Sequence, residues 1–198
     1  MEIIKLNPQI PEKSKIRRVI KVLKNDGIIV YPTDTVYGLG ANIYSETAIK
    51  KVFKIKGRDY HKPLSICLPE IKEIEKIACI DQGKEEIGQI LPGPFTIILK
   101  RRKHISPLIT ADGDKIGIRI PDNNICREIT RQIPITSTSA NLSGKSVPHS
   151  VDEIIEQLGN SVDLVIDGGP PVGVPSTVID WTTYPPKILR RGAKDFKI

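Results

Sequence analysis

Hydroxyl side chains cluster between residues 31 and 40 of this 198-residue chain, directly after the apolar run 27–31. Ligands in open α/β sheets bind beyond the carboxyl ends of strands, so this segment is well placed to hold one. Its glycines do not complete a GxGxxG pattern, because Ile43 occupies the last glycine position. Taken alone, the segment predicts either a ligand-binding loop or a capped turn.

Two later segments resemble the first in composition. Residues 136–144 follow an apolar run and combine hydroxyl and amide side chains with glycine, which lets backbone N–H groups approach an anion. A Ser-rich turn is the alternative for this segment. Residues 168–175 are rich in glycine and proline, which predicts a structured loop that leads into the segment 175–178.

Cations stand at positions 54, 56, 58 and 62, at the end of a predicted helix, and again at positions 190 and 191. Arginine offers a planar fork of donors to phosphate or carboxylate, and lysine a compact charge. The first group also suits the negative C-terminal end of a helix, which is the simpler interpretation of that group alone.

Several common catalytic patterns are absent from the sequence. It contains no GxxxxGK[ST], GxSxG or HExxH motif, and its three cysteines and three histidines are scattered. We therefore expect no protein-held metal and no disulfide framework. Hydroxyls and cations without a nucleophile and its base favour binding and electrostatic stabilisation over covalent catalysis.

Apolar periodicity predicts the elements that position these residues. The pattern indicates an α/β fold with a twisted mixed sheet flanked by helices, in one domain over residues 1–198. Ser150 is a predicted N-cap. Helices are expected at 16–23, 47–55, 71–78, 125–132 and 151–158, and strands at 27–31, 96–100, 115–120, 134–137, 164–166, 177–179 and 188–189.

Composition narrows the class of protein. The chain is 39% hydrophobic and 27% charged with a net charge of +7, which is globular composition that favours anionic partners. The basic run 100–104 predicts a solvated turn, with contact to RNA or to a partner as the alternative. Apolar runs are strand-sized and the first residues carry no secretory signal, so we expect no membrane span and a cytoplasmic location.

Taken in order, five motifs make the chain resemble the YrdC family over nearly its whole length. They are Pro32-Thr33-Asp34-Thr35-Val36-Tyr37-Gly38-Leu39, Lys56-Gly57-Arg58, Ser139-Ala140-Asn141-Leu142-Ser143-Gly144, Ser176-Thr177-Val178 and Leu189-Arg190. The resemblance implies an α/β domain around a positively charged cavity.

The resemblance also implies a reaction, that of an L-threonylcarbamoyladenylate synthase. L-threonine and bicarbonate form a carbamate that attacks the α-phosphate of ATP, giving threonylcarbamoyl-AMP and pyrophosphate. A downstream threonylcarbamoyl-transferase complex then modifies the adenosine beside the anticodon of tRNA. The implied cofactor is Mg²⁺ with ATP, and weak tRNA binding is a further expected property.

Residue roles follow from the same resemblance. Catalysis is expected from Lys56, Arg58, Ser139 and Asn141. The nucleotide is expected to bind Arg58, Lys62, Ser139, Asn141 and Arg190. L-threonine is expected to bind Thr35, Arg119, Ser137 and Ser176, with Arg119 facing its carboxylate.

The sequence departs from the family pattern at three positions. Asp59 replaces a common proline, Cys67 replaces a frequent histidine, and Arg191 replaces a proline. The change at Cys67 bears on the expected threonine contact. The chain also resembles the short form of the family, without the additional C-terminal domain of longer members.

Two alternative functions are also compatible with the sequence. An RNA-binding module would explain the net charge, although aromatic residues for base stacking make up only 5% of the chain. A domain that handles carbamoyl-adenylate in hydrogenase maturation would keep the fold and change the substrate.

Overall fold

Strands and helices alternate along the chain in the computed structural model, which describes residues 1–196. The strands are β1 (Glu2–Lys5), β2 (Ile29–Tyr31), β3 (Gly38–Gly40), β4 (Ser65–Cys67), β5 (Ala78–Cys79), β6 (Phe95–Arg101), β7 (Lys115–Arg119), β8 (Ile135–Ser139), β9 (Leu164–Asp167), β10 (Thr177–Asp180) and β11 (Lys187–Arg190). The helices are α1 (Lys13–Lys24), α2 (Glu46–Lys56), α3 (Ile74–Ile77), α4 (Lys84–Ile90), α5 (Pro107–Thr110), α6 (Asn124–Thr130) and α7 (Val151–Leu158).

One mixed sheet organises the described chain, with strand order β1-β9-β2-β3-β8-β4-β7-β6-β10-β11 and β5 added against β6. The pairs β1/β9, β2/β9, β4/β7 and β6/β10 are parallel, and the remaining pairs are antiparallel. This confirms the predicted α/β class with a mixed sheet. No helix within residues 1–196 has the length and apolarity needed to cross a lipid bilayer.

Helices cover the two faces of the sheet unequally. Side chains of α2 and α7 join the larger apolar core on one face. On the other face, α1 and α6 pack over β9, β2 and the start of β8 in a second, smaller core. Beyond these two helices the second face continues over β4, β7, β6 and β10, where the cavity described below lies.

Local sequence sets the ends of several helices. Ser45 caps α2 through the backbone N–H of Ala48 at 3.1 Å, and α2 ends at Gly57, whose φ of 56° suits glycine. Ser150 accepts from the N–H of Glu153 at 3.1 Å, which confirms the predicted N-cap of α7.

The structure corrects some of the predicted elements. Residues 38–40 form strand β3 rather than part of a loop, and residues 71–78 divide into a 3₁₀ turn followed by α3. The basic run 100–104 is not wholly a solvated turn, because β6 continues to Arg101. The Nε atoms of Arg101 and Arg102 donate to the carbonyls of Gly113 and Glu75 at 2.8 and 3.0 Å.

Two glycine substitutions test this packing in opposite directions. A Cβ at Gly38 would lie 2.6–2.9 Å from the buried ring of Tyr31, so Gly38→Ala is expected to lower the free energy of unfolding by about 1–3 kcal/mol. Gly88 lies inside α4 with its nearest neighbour 3.9 Å away, so Gly88→Ala is expected to raise that free energy by about 0.5–1 kcal/mol. Urea unfolding of both variants measures the two changes, and a shift of the same sign in both would contradict the packing described here.

Candidate active site

A cavity of about 680 Å³ lies over the uncovered part of the sheet. One row of register partners crosses its floor: Ser137 of β8, Ser65 of β4, Gly117 of β7, Ile98 of β6 and Asp180 of β10. All five line the cavity. Successive side chains of a strand point to opposite faces, so the floor is assembled by strand alternation.

The same alternation supplies the opposite face with core residues. Ile97, Ile118 and Ile179 stand between cavity-lining residues of their strands, Ile66 follows the cavity-lining Ser65, and all four are fully buried in the larger core. The central strands therefore serve two purposes at once, with an apolar anchor on one side and a polar floor on the other.

Gly117 makes room for the neighbouring side chains of the floor. A Cβ at this position would overlap Ser65 Oγ and lie 3.2 Å from Thr96 Cγ2. The hydroxyl of Ser65 therefore fits in the floor because residue 117 has no side chain.

Arg119 ends β7 at one side of this floor, and only 6% of its surface is exposed. Its Nη2 donates to Asp34 Oδ1 at 2.7 Å, and its Nη1 donates to Thr35 Oγ1 at 3.0 Å. The predicted Thr35 therefore lies behind the cavity wall, where it holds Arg119.

Lys56, Ser139 and Asn141 form a second, buried network. The Lys56 ammonium donates to the carbonyl oxygens of Ser139 and Asn141 at 2.5 and 2.7 Å, and to Asn141 Oδ1 at 3.1 Å. Ser139 Oγ donates to the same Oδ1 at 2.6 Å. All three ammonium protons are therefore used within the protein.

Burial and the nearby charge of Arg58 lower the pKa of Lys56 to about 8. Desolvation opposes the charged ammonium, and a second cation adds to the effect. The three acceptors need three N–H donors, so the network as described requires the protonated lysine.

Arg58 reaches the cavity from the turn after α2. Its Nε and Nη2 donate to the carbonyls of Lys62 and Pro63 at 3.0 and 2.9 Å, which leaves Nη1 without a protein acceptor among residues 1–196. Burial lowers the pKa of Arg58. Lys62 is exposed and does not line the cavity, so the structure does not bring its side chain to the other predicted residues.

Ser176 and Arg190 meet on the opposite side. Arg190 Nη2 donates to the carbonyl of Ser176 at 2.7 Å, and Ser176 Oγ lies 2.8 Å from Thr96 Oγ1. Burial lowers the pKa of Arg190, and the neighbouring cation of Arg119 lowers it further. Two arginines therefore converge on one space.

The structure sorts the ten predicted site residues into three groups. Six line the cavity, three lie directly behind its wall, and one stands outside it. The lining group is Arg58, Arg119, Ser137, Ser139, Ser176 and Arg190, the supporting group is Thr35, Lys56 and Asn141, and Lys62 is outside.

Sequence reasoning missed several lining residues, among them Ser65, Thr96, Gly117 and Asp180. Their signal is the alternation of polar and apolar residues within each strand, which identifies the face but not the neighbouring strands.

The charges around the cavity are mostly positive. Of the described residues that line it, four carry cations (Arg58, Lys115, Arg119 and Arg190), and one, Asp180, carries a carboxylate that pairs with Lys115 at 2.9 Å.

A model of a known protein family matches most of the chain. The family model Sua5_yciO_yrdC, described as "Telomere recombination", matches residues 21–192. The chain belongs to the Sua5/YciO/YrdC family. The match spans all five motifs and every residue of the cavity.

Relatives within the Sua5/YciO/YrdC family differ in length. A relative from Methanocaldococcus jannaschii is 44% identical over 182 residues, which cover 90% of this chain and 86% of that protein. The threonylcarbamoyl-AMP synthase of Pyrococcus abyssi is 36% identical over 186 residues, 91% of this chain but only 55% of that one. The crystal structure of P. abyssi Sua5 complexed with L-threonine superposes with a TM-score of 0.90 at 34% identity, covering 97% of this chain and 58% of that chain.

Cys67, the departure from the expected family histidine, lies at the edge of the smaller core. It is the register partner of Arg119, yet it is fully buried and its Sγ lies 4.0 Å from Cys126 Sγ. Cys67 does not line the cavity. A direct ligand contact by this side chain is therefore not part of the described geometry.

The lowered pKa of Lys56 predicts how stability depends on pH. Below about pH 8 both folded and unfolded states hold the proton, and the buried charge opposes folding. Between about 8 and the ordinary value of 10.5 the folded state releases it first, so the unfolded state binds more protons and the free energy of unfolding rises with pH.

Lys56→Met lacks this titration and provides the control. We expect the wild-type free energy of unfolding, minus that of Lys56→Met, to increase from below pH 8 to pH 10.5. Denaturant titrations at several pH values measure it, and a difference that stays flat would place the pKa of folded Lys56 near its ordinary value.

Proposed function

We propose that this protein is an L-threonylcarbamoyladenylate synthase, which condenses L-threonine, bicarbonate and ATP. The observation that carries the proposal is that Arg58, Arg119 and Arg190 line the same cavity as the hydroxyls of Ser137 and Ser176. Family relatives bear the name threonylcarbamoyl-AMP synthase, and one is described in complex with L-threonine.

The charges of the reactants fit the charges of the cavity. A carbamate, an α-carboxylate and a triphosphate repel one another unless cations separate them. Fixed arginines in a partly water-excluded site provide that separation without reorganising during the reaction. The volume of about 680 Å³ lies within the range of roughly 300–1,000 Å³ for small-molecule sites.

The proposed arrangement assigns the two ligands to adjoining groups of residues in the cavity. L-threonine binds near Arg119, Ser137 and Ser176, with its carboxylate on the guanidinium of Arg119. The nucleotide binds near Arg58 and Arg190. Ser139 also lines the cavity, and because its proton goes to Asn141, its oxygen is free to accept from a ligand N–H.

In the proposed reaction, a carbamate oxygen forms a bond to the α-phosphorus of ATP. The bond from that phosphorus to the bridging oxygen of pyrophosphate breaks. Arg58 stabilises the phosphoryl group during this step. Two backbone carbonyls orient its guanidinium, and Nη1 remains to donate to a phosphoryl oxygen. Lys56 and Asn141 act by holding Ser139 in place.

Mg²⁺ enters the proposal as part of the nucleotide substrate. Asp180 is occupied by Lys115 and Thr182, and no group of three or more His, Cys, Asp or Glu in residues 1–196 is placed to hold a metal. The ion would then be held by phosphate oxygens and water, as is common for nucleotide-bound magnesium.

Downstream partners complete the proposed function. The adenylate is a mixed anhydride, so a transferase complex must accept the threonylcarbamoyl group for tRNA modification. Because ATP and tRNA are cytoplasmic reactants, the cytoplasm is the proposed location.

Arg58→Ala tests the proposed electrostatic role. Loss of the fork is expected to reduce threonine- and bicarbonate-dependent pyrophosphate release on the order of 100-fold or more, with the variant still folded. Mass analysis of the adenylate establishes the product.

Lys62→Ala is the matched control, since that exposed cation lies four residues away and outside the cavity. It is expected to change the rate by less than about threefold. Full activity of folded Arg58→Ala would remove Arg58 from its role, and turnover of carbamoyl phosphate without threonine would favour the hydrogenase-maturation type of chemistry.

One observation favours RNA contact as a second function. Lys50, Lys51, Lys54 and Arg58 line an open groove of about 530 Å³ beside α2, and no carboxylate is among the described residues that line it. Tyr60 borders the groove, is half exposed, and stacks on Phe53 with ring centroids 4.7 Å apart. Cations beside an exposed aromatic suit an RNA backbone with an unpaired base.

The pair Lys50→Glu and Lys54→Glu tests this groove. The double variant is expected to weaken tRNA binding on the order of 10-fold and to flatten its salt dependence. The same exchange at Lys13 and Lys24 on α1 is the control and is expected to change affinity less than about twofold. Equal losses of tRNA affinity in the two double variants would mean that net charge, and not this groove, determines binding.

A further inference from the structure

The ion pair of Asp34 and Arg119 is nearly closed to solvent. The side chains are 11% and 7% exposed, and Arg119 Nη2 lies 2.7 Å from Asp34 Oδ1. A buried arginine that lost its carboxylate would be left as an uncompensated charge, so this contact strongly constrains where the guanidinium lies.

The carboxylate of Asp34 is itself fixed. Its second oxygen, Oδ2, accepts from the backbone N–H of Asp122 at 3.2 Å, in the turn after β7. Thr33 Oγ1 accepts from the N–H of Thr35 at 3.1 Å and donates to the carbonyl of Val36 at 2.6 Å. Asp34 therefore projects from a hydrogen-bonded turn and joins the loop after β2 to the loop after β7.

These contacts leave part of Arg119 available. Nη1 and Nη2 each carry two N–H groups, and Thr35 and Asp34 each take one of them. Arg119 Nε, which is out of contact with solvent, has no acceptor among residues 1–196. The protein thus fixes the guanidinium plane without filling its hydrogen-bonding capacity.

We propose that Asp34 is a positioning residue, which orients Arg119 for the α-carboxylate of the amino-acid substrate. The identity of that ligand rests on the proposed function. A planar fork binds a carboxylate well only when its plane is aligned, so fixing that plane in advance increases affinity. A carboxylate that only competed for Arg119 would have the opposite effect, because its removal would release donors to the substrate.

Asp34→Asn separates these two effects through the KM for L-threonine. The amide keeps the size of the side chain but loses the charge and one acceptor, so the KM for L-threonine is expected to rise on the order of 10-fold. The KM for ATP is expected to change less than about twofold, because Arg58 and Arg190 are not bonded to Asp34.

A double-mutant cycle with Arg119→Lys tests whether Asp34 acts through Arg119. A lysine ammonium has no plane to orient, so adding Asp34→Asn to Arg119→Lys is expected to change the KM for L-threonine less than about twofold. If the two substitutions raise the KM for L-threonine additively, Asp34 acts independently of Arg119, which would contradict the positioning role. An unchanged or lower KM in Asp34→Asn would contradict it as well.

Asp34→Glu provides the second variant if the asparagine form does not fold. It retains the charge but displaces the carboxylate by one methylene, so a positioning role predicts a raised KM for L-threonine, whereas a role of charge alone predicts wild-type behaviour. Wild-type protein that releases no threonine-dependent pyrophosphate would contradict the proposed function, and titration calorimetry of L-threonine on the same variants would still test Asp34.

Discussion

The ammonium of Lys56 joins two parts of the fold that carry the site. It lies at the last turn of α2 and binds two carbonyls at the end of β8 and just beyond. Because a buried cation requires acceptors, the chain after β8 must turn around it. That turn places Ser139 at the cavity, while the turn after α2 brings Arg58 to the same space.

Arginines around the cavity are held by a common principle. Each of Arg58, Arg119 and Arg190 donates some of its N–H groups to the protein and leaves others for a ligand. Arg58 and Arg190 donate mainly to backbone carbonyls, whereas Arg119 donates to the side chains of Asp34 and Thr35. Because these acceptors are themselves held in place, the cations are oriented before a ligand arrives.

Much of this architecture was predictable from the sequence, and the reasons for the failures are physical. Apolar periodicity located α1, α2 and α7 because each buries one face. It missed β3, whose residues Gly38–Gly40 have little side chain to show a pattern, and β4, which is only three residues long. The motifs contain fewer than half of the residues that line the cavity, because the row from Ser137 to Asp180 depends on pairing between strands distant in sequence. Lys56 was predicted as a cation for ligands, and only the structure shows that its three protons are used internally.

The absence of a side chain at position 117 has an evolutionary consequence. A Cβ there would overlap the hydroxyl of Ser65, while the strands around it are anchored from the opposite face by Ile66, Ile97 and Ile118. A side chain at position 117 would therefore require a change at position 65, whereas the apolar anchor would stay intact. In descendants of this scaffold the two floor positions are expected to change together.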